Sequence, residues 1–348
     1  MAANPKPVPT DISEEYYQIG ERILDSFPKY RPPLDLFFYV EKVMQLIPYS
    51  RKGARLSNEQ VEEVQQHCRD GNLFVSRADR AVYSEHISKQ LDLILVDRNL
   101  KEGEIVTISL RALEERLEEV VNQPVQQFFT ALHEDVAVVT EYLWEDKFRL
   151  KLFLKRLWSG RHSMVHQGVN TFVVGLWLLI GAKGSDLKRP FFNDAALGLL
   201  IHDIGMSKIP AFIRDKSKPL TPDERSKIPP HPLMGAQILR KTELYNDTVV
   251  DAILSHHERL DGSGYPQKKT DISMLGRIAG VADAFSAMIQ CRPYAPAMGL
   301  REAAQALFED SKRFDTKLSS VILAASVSGE LAANSGEEAT TDPRKGPL

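Results

Sequence analysis

The stretch HHERLDGSGYP, His256 to Pro266, sets two adjacent histidines and three further charged residues just ahead of a glycine-rich turn. Neutral imidazole is a frequent metal ligand, so paired histidines at such a turn point to a site rather than to packing. The stretch closes the apolar segment VVDAILSHH, Val249 to His257, whose spacing predicts a helix. Neighbouring helical residues project about 100° apart, so His256 and His257 suit two different ions.

Six of the nine histidines fall between His162 and His257. In GRHSMVHQGV, His162 and His166 stand four apart, the spacing that places two side chains on one helical face. ALGLLIHDIG puts His202 and Asp203 at the end of an apolar run, where burying both is costly unless they pair or bind metal. In KIPPHPLMGAQIL, His231 opens a helix that the flanking prolines prepare. RIAGVADAFSAM carries Asp283 inside an otherwise apolar helix. Each has a plain structural alternative: a cap, a solvated end, or for Asp283 a pairing with Arg277 or Arg292. Together they make six His and two Asp candidate ligands, a set suited to a cluster of two or three Fe, Mn, Zn or Ni ions. Such a cluster hydrolyses phosphate esters.

The 348 residues are 43% hydrophobic and 26% charged, enough for a real core and more than one domain. A net charge of −3 gives no footprint for a nucleic-acid polymer. Two distant cysteines, Cys68 and Cys291, exclude a disulfide framework and fit a reducing compartment. The start MAANPKPVPTDISEE has no apolar signal core, and the apolar run Thr171–Gly181 is too short for a bilayer and reads as a buried helix. The expected location is the cytoplasm, with no membrane span.

A Pro-rich arm, residues 1–15, is expected to be disordered. Residues 16–105 read as a small α/β domain. Its strand formers lie in LDLFFYVEKVMQLIPY and GNLFVSR, a helix starts at a Ser57 cap, and AVYSEHISKQLDLIL forms an amphipathic helix. Residues 106–158 read as connecting helices broken at Pro124, packing within the chain or forming a homodimer. Residues 159–325 read as a mostly helical domain, and 326–348 as a disordered tail.

HDIG, HPLMGAQIL, HHERLDGSGYP, RIAGVAD and RPY occur in the order of the HD-GYP domain, which this chain resembles from about Arg161 to Leu323. The resemblance implies an all-helical HD-superfamily bundle and cyclic di-GMP phosphodiesterase activity, forming pGpG and, by a second cut, GMP. It carries metal ligation onto His166, His202, Asp203, His231, His256, His257 and Asp283, with Asp203 bridging two ions. His162 stands where trinuclear members have an acid. Arg292 matches a phosphate contact, Tyr265 is the tyrosine of the GYP loop, and Gly262 and Gly264 give that loop its freedom.

The chain departs from the family at Met206, where a Lys is usual, at Ser286 and Ala295, and in the short loop QKKTDISML. Lys208 is the candidate to replace the missing Lys near the phosphate. These departures keep two alternatives open: a receptor for cyclic dinucleotides that turns over slowly, and a hydrolase of another cyclic nucleotide. The region before the bundle is expected to be regulatory, with a protein partner reached through it or through the GYP loop.

Overall fold

The computed structural model describes residues 15–335, apart from 41, 215, 217 and 293–295, together with Ile12. Most of the expected arm, the tail beyond 335 and Ala295 lie outside the described residues. The chain divides into two units, Met1–Ala112 and Leu113–Leu348.

The first unit is built on a four-stranded antiparallel sheet of order β1-β4-β2-β3: β1 Tyr16–Gln18, β2 Leu36–Val40, β3 Gln45–Ser50 and β4 Leu73–Ser76. The segment LDLFFYVEKVMQLIPY thus becomes a hairpin, turning near Met44 at φ 54°. β3 is an edge strand, which is why it tolerates Pro48. Among the described residues, three helices accompany the sheet, α1 Glu21–Ser26, α2 Asn58–Arg69 and α3 Arg80–Ser88. Ser57 caps α2 as expected, in a reciprocal box with Gln60. The helix expected over residues 81–95 stops at Ser88 and resumes as a 3-10 turn, Leu91–Leu95. The core holds Tyr17 stacked on Tyr83 at 4.5 Å, with the Tyr83 hydroxyl on buried Asp97.

α4, Glu102–Asn122, leads into the second unit, followed by α5, Gln126–Glu145. The single helical run expected from Val125 to Trp158 is interrupted, because Asp146 turns extended and its carboxylate accepts from the Phe148 amide. Short α6, Leu150–Leu154, and β5, Leu157–Trp158, follow.

The rest is helical. α7 Met164–Lys183 is buried along most of its length and packs against α8 Arg189–Leu200 and α13 Met274–Met288. Length and hydropathy alone would let α7 cross a membrane, yet 67% of its apolar window is buried inside the protein. Between them come α9 Ala211–Arg214, α10 Pro222–Ser226, α11 His231–Leu239 and α12 Asp247–Ser255, and beyond them α14 Leu300–Glu309 and α15 Thr316–Ser328.

The first residues of the expected tail, 326–335, are not disordered. α15 runs to Ser328, Leu331 is buried, and β6, Ala333–Asn334, pairs in parallel with β5.

Candidate metal centre

Helix ends aim the site. His202 follows α8 and His256 follows α12, each turning Nδ1 onto a carbonyl three residues back, Leu199 O at 2.9 Å and Ile253 O at 2.7 Å. His231, at the start of α11, does the same with Ile228 O at 2.9 Å. A carbonyl only accepts, so Nδ1 carries the hydrogen and the neutral ring has a bare Nε2. Nε2 of His231 and of His256 face one another at 3.1 Å and lie 3.0 and 3.4 Å from Asp203 Oδ1. That buried oxygen receives no well-directed hydrogen. Two lone pairs and a carboxylate oxygen so close together need a cation, and a divalent metal fits this donor set.

Among the described residues, two donor groups emerge: Asp203, His231, His256 and His257, and His202, Asp203 and Asp283. In the second, His202 Nε2 is 3.2 Å from Asp283 Oδ1 and 3.7 Å from Asp203 Oδ2. His202 would be driven neutral by burial, yet Asp203 and Asp283 push it up to about 9. Burial would lift Asp203, but His202, His231 and His256 hold it well below the usual carboxylate range. Burial drives His257 well below its ordinary value, and neighbouring His256 adds to this.

The geometry does not bring His162 and His166 into either group. The four-residue spacing assumed one continuous helix, but α7 begins at Met164 with Ser163 as its cap. His162 lies before the helix, its amide on Cys291 O at 2.9 Å and its Nδ1 3.1 Å from Gln290 Oε1. His166 stacks on Trp158 at 4.1 Å, with Nε2 4.0 Å from Glu114. The next residue around the helix, buried Gln167, is the one facing the cluster: its Nε2 donates to Asp283 Oδ1. Arg292 Nη2 lies 3.5 Å from Gln167 Oε1. Only the phase of α7, set by the Ser163 cap, reveals this residue.

Tyr265 tilts against His257 at 4.5 Å. Gly262 has φ 76°, whereas Gly264 answers to space: a Cβ there would collide with His257 O. Two residues of the opening stretch that were given no role hold the loop. Buried Glu258 accepts from the amides of Gln267 at 2.6 Å and Lys269 at 2.9 Å. Arg259 donates to His256 O at 2.9 Å and lies over Phe314.

Lys208 lines a separate cleft of about 570 Å³ with Met234, Gln237 and Lys241, a cleft that none of the clustered His or Asp residues line. Ser286 is buried with its hydroxyl unpartnered among the described residues.

A family model described as HD domain matches residues 163–318. Over 139 residues the chain is 35% identical to the cyclic di-GMP phosphodiesterase PA4108 of Pseudomonas aeruginosa, a match covering 39% of this chain and 34% of that protein. It is 36% identical over 121 residues to the 3'3'-cGAMP-specific phosphodiesterase 3 of Vibrio cholerae, covering 34% and 25%. The chain thus spans about a third or less of the length of these relatives. The solved structure of Bd1817, an HDG"Y"P protein from Bdellovibrio bacteriovorus, has the same fold. Its TM-score is 0.56 at 16% identity, over 89% of this chain and 98% of its own.

Proposed function

From the premise that residues 163–318 form an HD domain, we propose that the chain is a metal-dependent phosphodiesterase that opens cyclic di-GMP to linear pGpG. The observation that carries this reading is the convergence of His231 and His256 Nε2 on the buried, hydrogen-poor Asp203 Oδ1.

Asp203, His231, His256 and His257 would hold one divalent ion, Fe or Mn, and His202, Asp203 and Asp283 are the donors offered to a second. A bound ion supplies Lewis-acid polarisation of a phosphate oxygen and acidifies water at the site. The protein's part is positional. The backbone carbonyls behind His202, His231 and His256 keep each Nε2 aimed inward. Arg292 offsets phosphate charge from the Gln167 side, and Tyr265 borders the ligand at His257. The Glu258 tie keeps the loop carrying Tyr265 against the ligand-bearing turn.

Protein reconstituted anaerobically with Fe or Mn should convert cyclic di-GMP to pGpG, read by chromatography. Absence of product in a sample whose metal content is verified would refute the reading.

Two observations favour slow turnover as a second reading, a receptor for cyclic dinucleotides. Met206 offers a phosphate no donor, and Lys208 lines the other cleft. Tight binding by calorimetry without product separates this reading from the first. A panel including 3'3'-cGAMP tests a third, motivated by the Vibrio cholerae relative.

A further inference from the structure

We infer that the cleft lined by Lys208 is a second binding site, one for a nucleoside phosphate, and that an occupant there bears on the metal centre; only this last effect rests on the phosphodiesterase reading. One wall of the cleft is a stripe of α11 and the residues just after it. Met234, Gln237, Ile238 and Lys241 recur at three- and four-residue steps, which place them along one helical face. Lys208 closes a second side from the end of the 3-10 turn Ile204–Lys208, and Pro124, Val125 and Gln126 a third from the start of α5.

The lining carries charge of one sign. Lys208 and Lys241 bring two ammonium groups that have no ion-pair or hydrogen-bond partner among the described residues, and no described carboxylate lines the cleft. Val125 caps α5 without a side-chain acceptor, so the first amides of that helix add positive potential at the same rim. Positive charge gathered without counter-charge favours an anion. The rest of the lining asks for more than a bare anion. Pro124, Val125, Met234 and Ile238 offer apolar surface to a flat ring, and the Gln237 amide can hydrogen-bond its edge. The volume of about 570 Å³ falls among small-molecule pockets, about 300–1,000 Å³. Inorganic phosphate would leave most of it to water, whereas a nucleotide joins the anion to the ring.

The walls are already fastened to one another. Gln126 Oε1 accepts from the Glu243 amide at 3.0 Å, tying the start of α5 to the segment after α11. The 3-10 turn lies so close on α11 that a Cβ at Gly205 would collide with His231 O. The same two pieces carry donors of the cluster: Asp203 directly precedes the turn, and His231 opens α11. An anion spanning Lys208 and Lys241 therefore clamps the pieces that set Asp203 against His231, from a cleft the cluster does not line.

The test is photolabelling, which does not depend on turnover. Metal-loaded full-length protein is irradiated with azido derivatives of AMP and of GMP, and the tagged peptides are mapped by mass spectrometry. The tag should fall on the peptides holding Val125 or Met234, displaced by unmodified nucleotide and not by inorganic phosphate at equal concentration. Lys241→Glu sets an acid in the cleft and should cut this labelling about tenfold; Gln237→Glu does the same should the first variant fail to fold. The nucleotide that displaces best should change the rate of cyclic di-GMP opening severalfold in the parent and not in the variant. No tag in the cleft with either probe, or an undiminished tag in the folded variants, would overturn the site. Equal displacement by phosphate would overturn its assignment to nucleotides. A tagged cleft with the same effect on rate in parent and variant would overturn its bearing on the metal centre. Tagging in a protein that never opens cyclic di-GMP would uphold the site while removing the phosphodiesterase reading.

Discussion

At the scale of single residues, two histidines distinguish spacing from phase. His256 faces Asp203 with its Nε2, whereas His166 stacks on Trp158 away from both donor groups. His256→Ala should therefore strip the protein of its ion, while His166→Ala keeps metal content within error of the parent by elemental analysis. Equal losses would show that His166 swings inward to ligate. His202, Asp203, His231, His256 and His257 were legible because each ends or opens an apolar segment, and Asp283 because it lies inside an apolar helix, so burial and polarity conflict visibly in the sequence. Gln167 was not, since an amide one place beyond a histidine carries no such conflict. Its role depends on where Ser163 starts the helix, and a shift of one residue there turns a side chain by about 100°.

At the scale of elements, the run HHERLDGSGYP behaves as one device, a helix end and a loop folded back on it. Gly264 permits the close approach to His257 O, and the Glu258 carboxylate spans the gap by accepting two loop amides. Hydrogen bonds to a charged acceptor contribute about 1.5–3 kcal/mol each. Glu258→Gln keeps the shape but loses the charge, and one of its two acceptors becomes a donor. It should raise the KM for cyclic di-GMP about tenfold, a change of roughly 1.4 kcal/mol, with metal content unaltered. A parallel fall in metal would assign Glu258 to the ligands rather than to the loop. Helix limits were less legible than helix existence: Asp146 breaks an apolar pattern that continues on both sides of it, and only its bond to the Phe148 amide marks the stop.

At the scale of the whole molecule, the helical part contains a charge that opposes its own stability. Asp135 is buried in α5, and its carboxyl is pushed up to about 6 by burial, only partly offset by Arg116 at 2.9 Å. The folded state thus holds this proton more tightly than the unfolded chain does. The contribution of Asp135 to stability is fully present below its ordinary value of 3.8 and is lost as pH rises through about 6. Asp135→Asn should therefore gain on the parent in thermal stability between pH 4 and pH 7, a window set by those two values. A difference in melting temperature that is flat across it would contradict this. The mostly helical second unit was legible from periodicity. The sheet order β1-β4-β2-β3 was not, because pairing between strands distant in sequence leaves no local trace. The carbonyls behind three rings of the cluster also bear on assembly. His202, His231 and His256 are aimed by the backbone of their own segments, not by side chains lent from elsewhere. Each piece arrives already pointed, and only the docking of α8, α11 and α12 brings the lone pairs together. A bound ion would then act as a checkpoint on assembly, gripping the chain once those three pieces have met and finding no complete grip before.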